Sequence, residues 1–188
     1  RPDIFRATVL MSVPYGPRTP GDTQPTKLMK LLAGEQEMYI VYFQEPGKAE
    51  KNFEADVRRS MLGLLYSLSG SAAPEERWSF IFDKTDDIAQ TVTVPDTLPA
   101  WLTEANLDHF TEEFTQSGFR GGLNWYRNID RNWALTPFLN GAKLKQPSLF
   151  LAGEHDMVID MSRGAYDNLV TNMPNLTKSV LIPGAGHW

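Results

Sequence analysis

The chain has 188 residues and a formal net charge of −5 at pH 7, and 41% of its residues are hydrophobic. This acidic balance argues against a nucleic-acid binder, and the hydrophobic content is sufficient for a sizeable core. The absence of cysteine excludes disulfides and thiolate metal sites, and no apolar run approaches the ~18 residues of a membrane span. We therefore expect a cytoplasmic protein without a membrane span.

The first predicted element is a strand. Residues 7–13 form an apolar, β-branched run that ends at Pro14, which is typical of a short buried strand. The dozen residues that follow are rich in proline and glycine, so the chain leaves this strand through a long loop. Such a loop marks a domain boundary, and we place it after residue 19.

Residues 20–141 then predict helices and loops rather than strands. Thr103 is a typical helix cap, Gly118 is a typical helix end, and Leu107, Phe110 and Phe114 share one face between them. The apolar block at 39–43 fits a strand or a short helix, and residues 70–100 carry mainly loop signals. The other helices are predicted within 27–32, over 49–68 and over 120–138.

After Gly141 the pattern changes to strand, helix, strand. The predicted elements are a strand at 148–152, a helix at 162–173 and a strand at 179–182. Two strands joined by a helix pair in parallel. The predicted fold class is therefore α/β, with core segments at 1–19 and 142–188 that share a mostly parallel sheet and a helical insertion at 20–141.

Two polar residues follow the late strands, and both are candidates for chemistry. Asp156 comes just after one strand and His187 just after the next, at the sheet edge where ligands gather in α/β folds. Acid followed by histidine is the order of an α/β-hydrolase triad, in which the carboxylate fixes the tautomer of the base. Taken alone, Asp156 also fits a helix cap and His187 a solvated loop residue. Asp160, His155 and His109 are weaker candidates.

Neither a metal site nor a nucleophile is evident in the sequence. There is no HExxH motif and no paired-histidine spacing, so we expect no metal. There is also no G-x-S-x-G elbow and no Ser or Asp between glycines at a strand-to-helix turn. We expect the nucleophile and the oxyanion loop to lie upstream of Arg1.

Several segments together resemble the soluble epoxide hydrolases of the α/β-hydrolase fold. They occur in the family's order and span nearly the whole chain. YFQEPG and RGGLNWYRN together are highly specific, whereas GEHD and GHW alone would indicate only the superfamily. The segments are YFQEPG at 42–47, SGFRGGLNWYRN at 117–128 with RNW at 131–133, GEHD at 153–156 and GHW at 186–188. The resemblance implies a lid and the C-terminal part of an α/β-hydrolase core.

The resemblance also implies roles for individual residues. Tyr39 and Tyr126 correspond to the paired lid tyrosines that bind the epoxide oxygen, Asp156 to the triad acid and His187 to the base that activates water. Tyr42, three residues from Tyr39, could point into the same site or away from it. We expect Trp125 and Trp133 to pack around Tyr126. Substrate contacts are assigned to Phe43, Trp125 and Trp188.

The implied function is hydrolysis of an apolar epoxide with water to a vicinal diol through an aspartyl ester, without a cofactor. The resemblance also implies a role in detoxification, and it leaves open whether the protein forms a homodimer. Because the nucleophile has no counterpart in residues 1–188, we expect this segment alone to be inactive. The alternatives are a haloalkane-type dehalogenase, with the indole of Trp125 or Trp133 binding halide, and a non-catalytic lid module that serves binding.

Overall fold

The structure, a computed structural model, describes residues 3–18 and 20–188, which form two compact units. The first unit comprises Arg1–Gly21, Leu68–Ser71 and Thr136–Trp188, and the second comprises Asp22–Ser67 and Ala72–Leu135. The first unit thus includes Leu68–Ser71, a segment that the sequence analysis assigned to the helical insertion.

Parallel strands form the sheet of the first unit. In chain order, the strands are β1 (Thr8–Met11), β2 (Glu37–Met38), β3 (Ile81–Phe82), β4 (Ser148–Gly153) and β5 (Leu176–Ile182). Among the described residues, β4 lies between β1 and β5 and pairs with both in parallel, so the predicted α/β class and parallel sheet are confirmed. Phe150 in β4 is fully buried, whereas Leu149 and Leu151 on the other face of the strand are only partly buried.

The second unit contains a small sheet that the sequence analysis missed. Strands β2 and β3 pair antiparallel, with Glu37 opposite Phe82 and Met38 opposite Ile81. Between residues 20 and 140 we predicted helices and loops and left a strand open only at 39–43, so neither β2 nor β3 was predicted; the block at 39–43 forms helix over Tyr39–Tyr42. Strands of two residues are too short to show an alternating pattern.

Most of the second unit is helical. The helices of the whole described chain are α1 (Pro25–Ala33), α2 (Tyr39–Tyr42), α3 (Lys48–Glu54), α4 (Val57–Ser67), α5 (Glu104–Ser117), α6 (Arg120–Arg127), α7 (Ile129–Leu135), α8 (Met157–Met161), α9 (Arg163–Asp167) and α10 (Leu169–Asn172). Short 3₁₀ turns occur at Pro74–Glu76, Ile88–Gln90 and Pro137–Leu139. None of the helices in the described part of the chain has the length and apolar character needed to cross a bilayer.

Three predicted helices are each divided into shorter ones, and polar side chains mark the breaks. The Asp56 carboxylate accepts a hydrogen bond from the Arg59 backbone N–H at 2.9 Å, which caps the start of α4. The side-chain amides of Asn128 and Asn168 donate to the carbonyls four residues earlier, each at 2.8 Å, where α6 and α9 end. Such local side-chain bonds compete with helix continuation.

Helix α5 begins and ends where the sequence predicts. The Thr103 hydroxyl accepts a hydrogen bond from the backbone N–H of Asn106 at 3.2 Å, and Gly118 adopts a φ of 67° that favours glycine. Leu107 is buried on the inner face, with 1% of its surface exposed. The expectation that Phe110 shares this buried face was wrong, since 36% of its surface is exposed.

The core of the first unit packs one face of β4 against the helices that follow it. Burying a large apolar side chain such as that of Phe150 stabilises the fold by about 1.5–3 kcal/mol. The buried cluster consists of Phe150, Ala152, Ile159, Leu169 and Met173. This packing fixes the carboxyl end of β4, where Asp156 follows.

Candidate active site

Asp156 and His187 meet at the carboxyl ends of β4 and β5. His187 Nδ1 lies 3.2 Å from Asp156 Oδ1 and 3.3 Å from Oδ2. The Asp156 side chain is 1% exposed and that of His187 is 25% exposed, so the carboxylate is buried behind a partly accessible imidazole. An imidazole held in this way can act as a general base through its other ring nitrogen.

Asp156 has a second role as a helix cap. Its Oδ1 accepts a hydrogen bond from the Val158 backbone N–H at 3.0 Å, at the start of α8. Burial favours the neutral acid, but the hydrogen bonds from His187, Ser12 and Val158 outweigh it and hold the pKa of Asp156 below its ordinary value. The carboxyl group is therefore ionised at neutral pH and can stabilise an imidazolium.

Ser12, which the sequence analysis did not consider, completes this cluster. It follows β1 directly, and its hydroxyl donates to Asp156 Oδ2 at 2.6 Å while its Oγ lies 2.8 Å from His187 Nδ1. The Ser12 backbone has a φ of 66°, and among the described residues other than glycine no further one has a positive φ. The rule that selected Asp156 and His187, a polar residue at the carboxyl end of a parallel strand, also applies to Ser12.

Backbone contacts fix the loop that carries His187. The His187 backbone N–H donates to the Leu68 carbonyl at 2.7 Å. A methyl group on Gly186 would lie 2.5 Å from backbone atoms of Leu68, Ser69 and Gly70, which is closer than side chains tolerate. Glycine at 186 therefore allows the loop to lie directly against Leu68–Ser71.

A cavity of about 110 Å³ adjoins these side chains in the first unit. Trp188, predicted to contact substrate, lies on its wall, and its ring meets that of His187 edge-on at 4.8 Å between centroids. The remaining lining residues are Met11, Ser12, Leu151, Ala152, Gly153, Asp156, Ile182, Ala185, Gly186 and His187.

The competing acid and histidines have other environments. Asp160 is exposed and forms a salt bridge with Arg163. His109 is exposed on α5, where its ring lies against Phe110, and His155 donates its backbone N–H to the Ala185 carbonyl at 2.8 Å. In the described part of the chain, no group of three or more His, Cys, Asp or Glu side chains is arranged to hold a metal ion.

In the second unit the structure brings Tyr39 and Tyr126 together. Their ring centroids are 5.5 Å apart, and Phe43 packs edge-on against both rings, at 5.5 Å from Tyr39 and 5.0 Å from Tyr126. Tyr39 also contacts the rings of Trp78 and Phe80 at 5.3 and 5.1 Å. The result is an aromatic cluster that carries two phenol groups.

The surroundings of both phenols keep them protonated. Burial is the main reason that the pKa of Tyr39 is raised well above its ordinary value, and Tyr126 raises it further. Burial also raises the pKa of Tyr126, although a hydrogen bond with Tyr39 partly opposes this. Both side chains are therefore neutral hydrogen-bond donors at any physiological pH.

Hydrogen bonds attach the end of α6 to the loop after α2. Gln44 Nε2 donates to the Ile40 carbonyl at 2.8 Å and to the Tyr126 carbonyl at 3.0 Å. Arg127 forms two parallel bonds to the Glu50 carboxylate, at 2.7 and 2.8 Å, and a third to the Phe43 carbonyl at 2.9 Å. Both side chains of the Arg127–Glu50 pair are 12% exposed. These bonds hold Tyr126 beside Tyr39.

Tyr42 is buried but bonded elsewhere. Its hydroxyl donates to Asn52 Oδ1, and the Lys48 ammonium lies 4.1 Å from the centre of its ring. Asn52 in turn donates to Asp87 at 2.8 Å. Of the two orientations that the sequence left open, Tyr42 adopts the one directed away from Tyr39 and Tyr126.

The expectation that Trp125 packs around Tyr126 was wrong. Its side chain is 80% exposed, because successive helical positions point in different directions and Tyr126 takes the inward one. Trp133 is half-buried. Trp125 lines an open hollow of about 340 Å³ together with Gly121, Asn124, Asn128 and Asn132.

Trp78 and Phe80 were also missed by the sequence analysis. They lie in the 70–100 segment, where loop signals dominate. The Phe80 carbonyl accepts a hydrogen bond from the Tyr39 backbone N–H at 3.0 Å, just before β3. The Trp78 indole N–H donates to the Thr91 hydroxyl at 2.8 Å. Large aromatic residues within a loop segment are the signal that could have identified them.

The chain is similar to curated epoxide hydrolases along its whole length. It is 38% identical to Epoxide hydrolase A of Mycobacterium tuberculosis, covering 99% of this chain and 56% of that protein. It is 31% identical to Epoxide hydrolase 1 of Siraitia grosvenorii, covering 100% of this chain and 58% of that protein. The chain therefore spans little more than half the length of these relatives. No family model matches it.

Solved structures give the same result. An epoxide hydrolase from an endophytic Streptomyces superposes with a TM-score of 0.93 at 40% identity, with 100% of this chain and 56% of that chain covered. A laboratory-evolved variant of potato epoxide hydrolase superposes with a TM-score of 0.83 at 30% identity, with 100% and 57% covered. The sequence resemblance and the α/β-hydrolase fold class are thereby confirmed.

Proposed function

We propose that residues 1–188, which match epoxide hydrolases of the α/β-hydrolase family along their whole length, carry the lid and the acid–base residues of an enzyme that hydrolyses epoxides to diols. The observation that carries this proposal is the pair of adjacent, protonated phenols, the buried Tyr39 and the half-buried Tyr126. Epoxide opening breaks a carbon–oxygen bond and leaves an alkoxide. Two phenol O–H donors directed at that oxygen stabilise its developing charge.

The first half of the reaction needs a nucleophile from outside residues 1–188. An aspartate carboxylate would attack a ring carbon, forming an ester while the ring oxygen takes up a proton from a tyrosine. Tyr39 and Tyr126 are suited to this step because burial keeps their protons in place until negative charge appears on the substrate.

The second half falls to His187 and Asp156. His187 Nε2 would take a proton from water, and the resulting hydroxide would attack the ester carbonyl carbon. The bond between the ester carbonyl carbon and the substrate oxygen then breaks. The proton of the carboxylic acid so formed passes to that oxygen, which completes the diol and restores the carboxylate, and the proton held by His187 returns to the tyrosinate left by the first half. The ionised Asp156 beside Nδ1 stabilises the imidazolium that forms.

The surroundings of Tyr39 indicate the class of substrate. Its ring is in contact with Phe43, Trp78 and Phe80, so the hydroxyls are presented from an apolar wall. An epoxide with an apolar substituent suits this wall, and charged epoxides would have to lose solvation on binding.

The test is turnover after removal of one hydroxyl. Because residues 1–188 lack a nucleophile elbow, the assay joins them to the part of Epoxide hydrolase A that this chain does not cover. We expect residues 1–188 alone to form no diol. In the joined chain, Tyr126→Phe should lower kcat/KM for an apolar epoxide about 10²-fold, since one donor to the alkoxide is lost.

The matched control is Tyr42→Phe. It removes a phenol hydroxyl three residues from Tyr39 whose hydrogen bond goes to Asn52, so epoxide turnover should stay within about threefold of the parent. Unchanged turnover in Tyr126→Phe would overturn the proposal. A haloalkane measured in parallel tests the dehalogenase alternative. The 80% exposure of Trp125 disfavours that indole as the halide donor, and Trp133 is half-buried.

A further inference from the structure

We infer that Ser12 is a positioning residue for the base: its hydroxyl bridges Asp156 and His187 and fixes the tautomer in which Nε2 is free to accept a proton. The inference deepens the function proposed above and rests on His187 acting as a base. It is carried by three contacts within the first unit, at the carboxyl ends of three adjacent strands.

The distances make Ser12 the nearest of these partners to the imidazole. His187 Nδ1 lies 2.8 Å from Ser12 Oγ, but 3.2 and 3.3 Å from the two oxygens of Asp156. Only the first distance matches the length of a strong hydrogen bond. Asp156 thus acts on the ring partly through the serine hydroxyl.

The number of available protons determines the direction of each bond. The Ser12 hydroxyl has a single hydrogen, and an ionised carboxylate can only accept, so the 2.6 Å contact assigns that hydrogen to Asp156 Oδ2. The lone pairs of Ser12 Oγ then face His187 Nδ1, which must carry a hydrogen to bond there. With the proton on Nδ1, Nε2 keeps its lone pair.

The other carboxylate oxygen of Asp156, Oδ1, has a backbone partner. Oδ1 accepts the Val158 backbone N–H at 3.0 Å, which fixes the orientation of the carboxylate as α8 begins. Ser12 therefore bonds an oxygen whose place is set by the helix. Because Ser12 Oγ contacts both Asp156 and His187, the fixed carboxylate also fixes the orientation of the imidazole ring.

The backbone of Ser12 adopts a conformation that side-chain-bearing residues rarely use. Its φ is 66°, yet its N–H donates to the Leu151 carbonyl at 2.8 Å and holds it against the end of β4. A serine in such a conformation agrees with a role for its hydroxyl, since glycine would fit this backbone without strain.

The test measures the tautomer of His187 directly in residues 1–188, without turnover. Nitrogen-15 NMR of the histidine rings, with His187→Gln to assign the signal among three histidines, should show Nδ1 protonated in the parent chain. Ser12→Ala and Ser12→Gly should each give a measurable fraction with the proton on Nε2. Thr8→Val, which removes a hydroxyl at the start of the same strand, should leave the tautomer unchanged.

Stability separates positioning from structural support. Ser12→Gly relieves the left-handed backbone, so it should unfold at the same urea concentration as the parent or a higher one while losing tautomer control. Parent-like spectra in both Ser12 variants would overturn the inference. A change of tautomer that occurs only in a destabilised variant would also overturn it.

Kinetics in the joined chain keep this inference distinct from the proposed function. Ser12→Ala should slow ester hydrolysis about tenfold to a hundredfold and leave the rate of ester formation within about twofold, since only the base is affected. If Tyr126→Phe has no effect but the tautomer still shifts, only the proposed function falls. If Tyr126→Phe lowers turnover and the tautomer is unchanged, only the role of Ser12 falls.

Discussion

At the scale of single residues, the candidate site depends on polar groups whose partners fix their protonation. Asp156 is ionised because three hydrogen bonds outweigh its burial, and Tyr39 and Tyr126 stay neutral because burial dominates. Burial by itself would favour the neutral form of Asp156, Tyr39 and Tyr126 alike. The hydrogen-bond donors around Asp156 make the difference.

Glu50 provides a test of such a group away from the reacting atoms. Hydrogen bonds from Arg127 lower its pKa from its ordinary 4.5 to about 2, so its stabilising effect is complete above pH 4.5 and is lost as the pH falls towards 2. We predict that Glu50→Gln lowers the unfolding free energy at pH 7 by about 2 kcal/mol. The difference from the parent should keep its full size in urea titrations at pH 5 and should shrink at pH 4 and further at pH 3.

The control for Glu50 is Glu45, which lies in the loop just before α3. Glu45 is 71% exposed and its carboxylate lies 3.9 Å from the Lys48 ammonium, so Glu45→Gln should change the unfolding free energy by no more than about 0.5 kcal/mol. An equal effect of both variants would contradict the account of the Arg127–Glu50 pair. A Glu50→Gln effect that is independent of pH would contradict it too.

At the scale of elements, the first turn of α6 contains Gly121 and Gly122, and their surroundings differ from those of Gly118 just before the helix. A methyl group added to Gly122 would meet nothing within 4 Å. One added to Gly118 would lie 2.8 Å from Glu54 Oε1, which accepts the Phe119 backbone N–H, and the backbone there has a φ of 67°.

Alanine substitutions at these positions should have opposite effects. We predict that Gly122→Ala stabilises the chain by about 0.5–1 kcal/mol, because glycine inside a helix loses more backbone freedom on folding than alanine does. Gly118→Ala should destabilise it by about 1–2 kcal/mol, because alanine strains at positive φ. Urea unfolding midpoints measure both, and a shift of the same sign in the two variants would refute this account.

The sequence predicts those elements whose limits are set by proline, glycine or a strong cap. Strands β1 and β4 are continuous apolar runs, and Thr103 and Gly118 bound α5 on both sides. The helix breaks at Asn128 and Asn168 were missed because asparagine is tolerated within helices until its amide bonds the backbone.

The candidate site was predictable in part, and for similar reasons. Asp156 and His187 were predicted from their positions after strands, and the resemblance supplied Tyr39 and Tyr126. Ser12 was missed because the predicted strand extended to residue 13 and so contained it, whereas β1 ends at Met11 and Ser12 follows with a positive φ. The exposure of Trp125 was missed because residue type alone favours burial of tryptophan, whereas helix phase places Tyr126 inward.

At the scale of the whole molecule, the sheet leaves apolar surface exposed. In the described chain, β1 and β5 form the sheet edges, and Val9, Met11 and Ile182 are 55%, 70% and 46% exposed. Edge strands with exposed apolar side chains promote association. We predict that residues 1–188 alone self-associate in a concentration-dependent manner, measured by sedimentation velocity.

A charge on the edge strand should weaken this association. Val9→Lys places an ammonium on β1 and should shift the distribution towards monomer. A parent chain that sediments as a monomer at every concentration would contradict the prediction.

The contact between the His187 loop and Leu68–Ser71 has a consequence for recombination among related enzymes. The two segments touch through glycine backbone, yet Leu68–Ser71 is flanked on both sides by chain of the other unit. If residues 22–135 were exchanged as one cassette, a foreign segment would therefore replace the support of the His187 loop. Exchanging residues 22–67 and 72–135 as two separate segments keeps the original Leu68–Ser71 beneath the His187 loop. Chimeras of related enzymes should therefore exchange the second unit as these two segments.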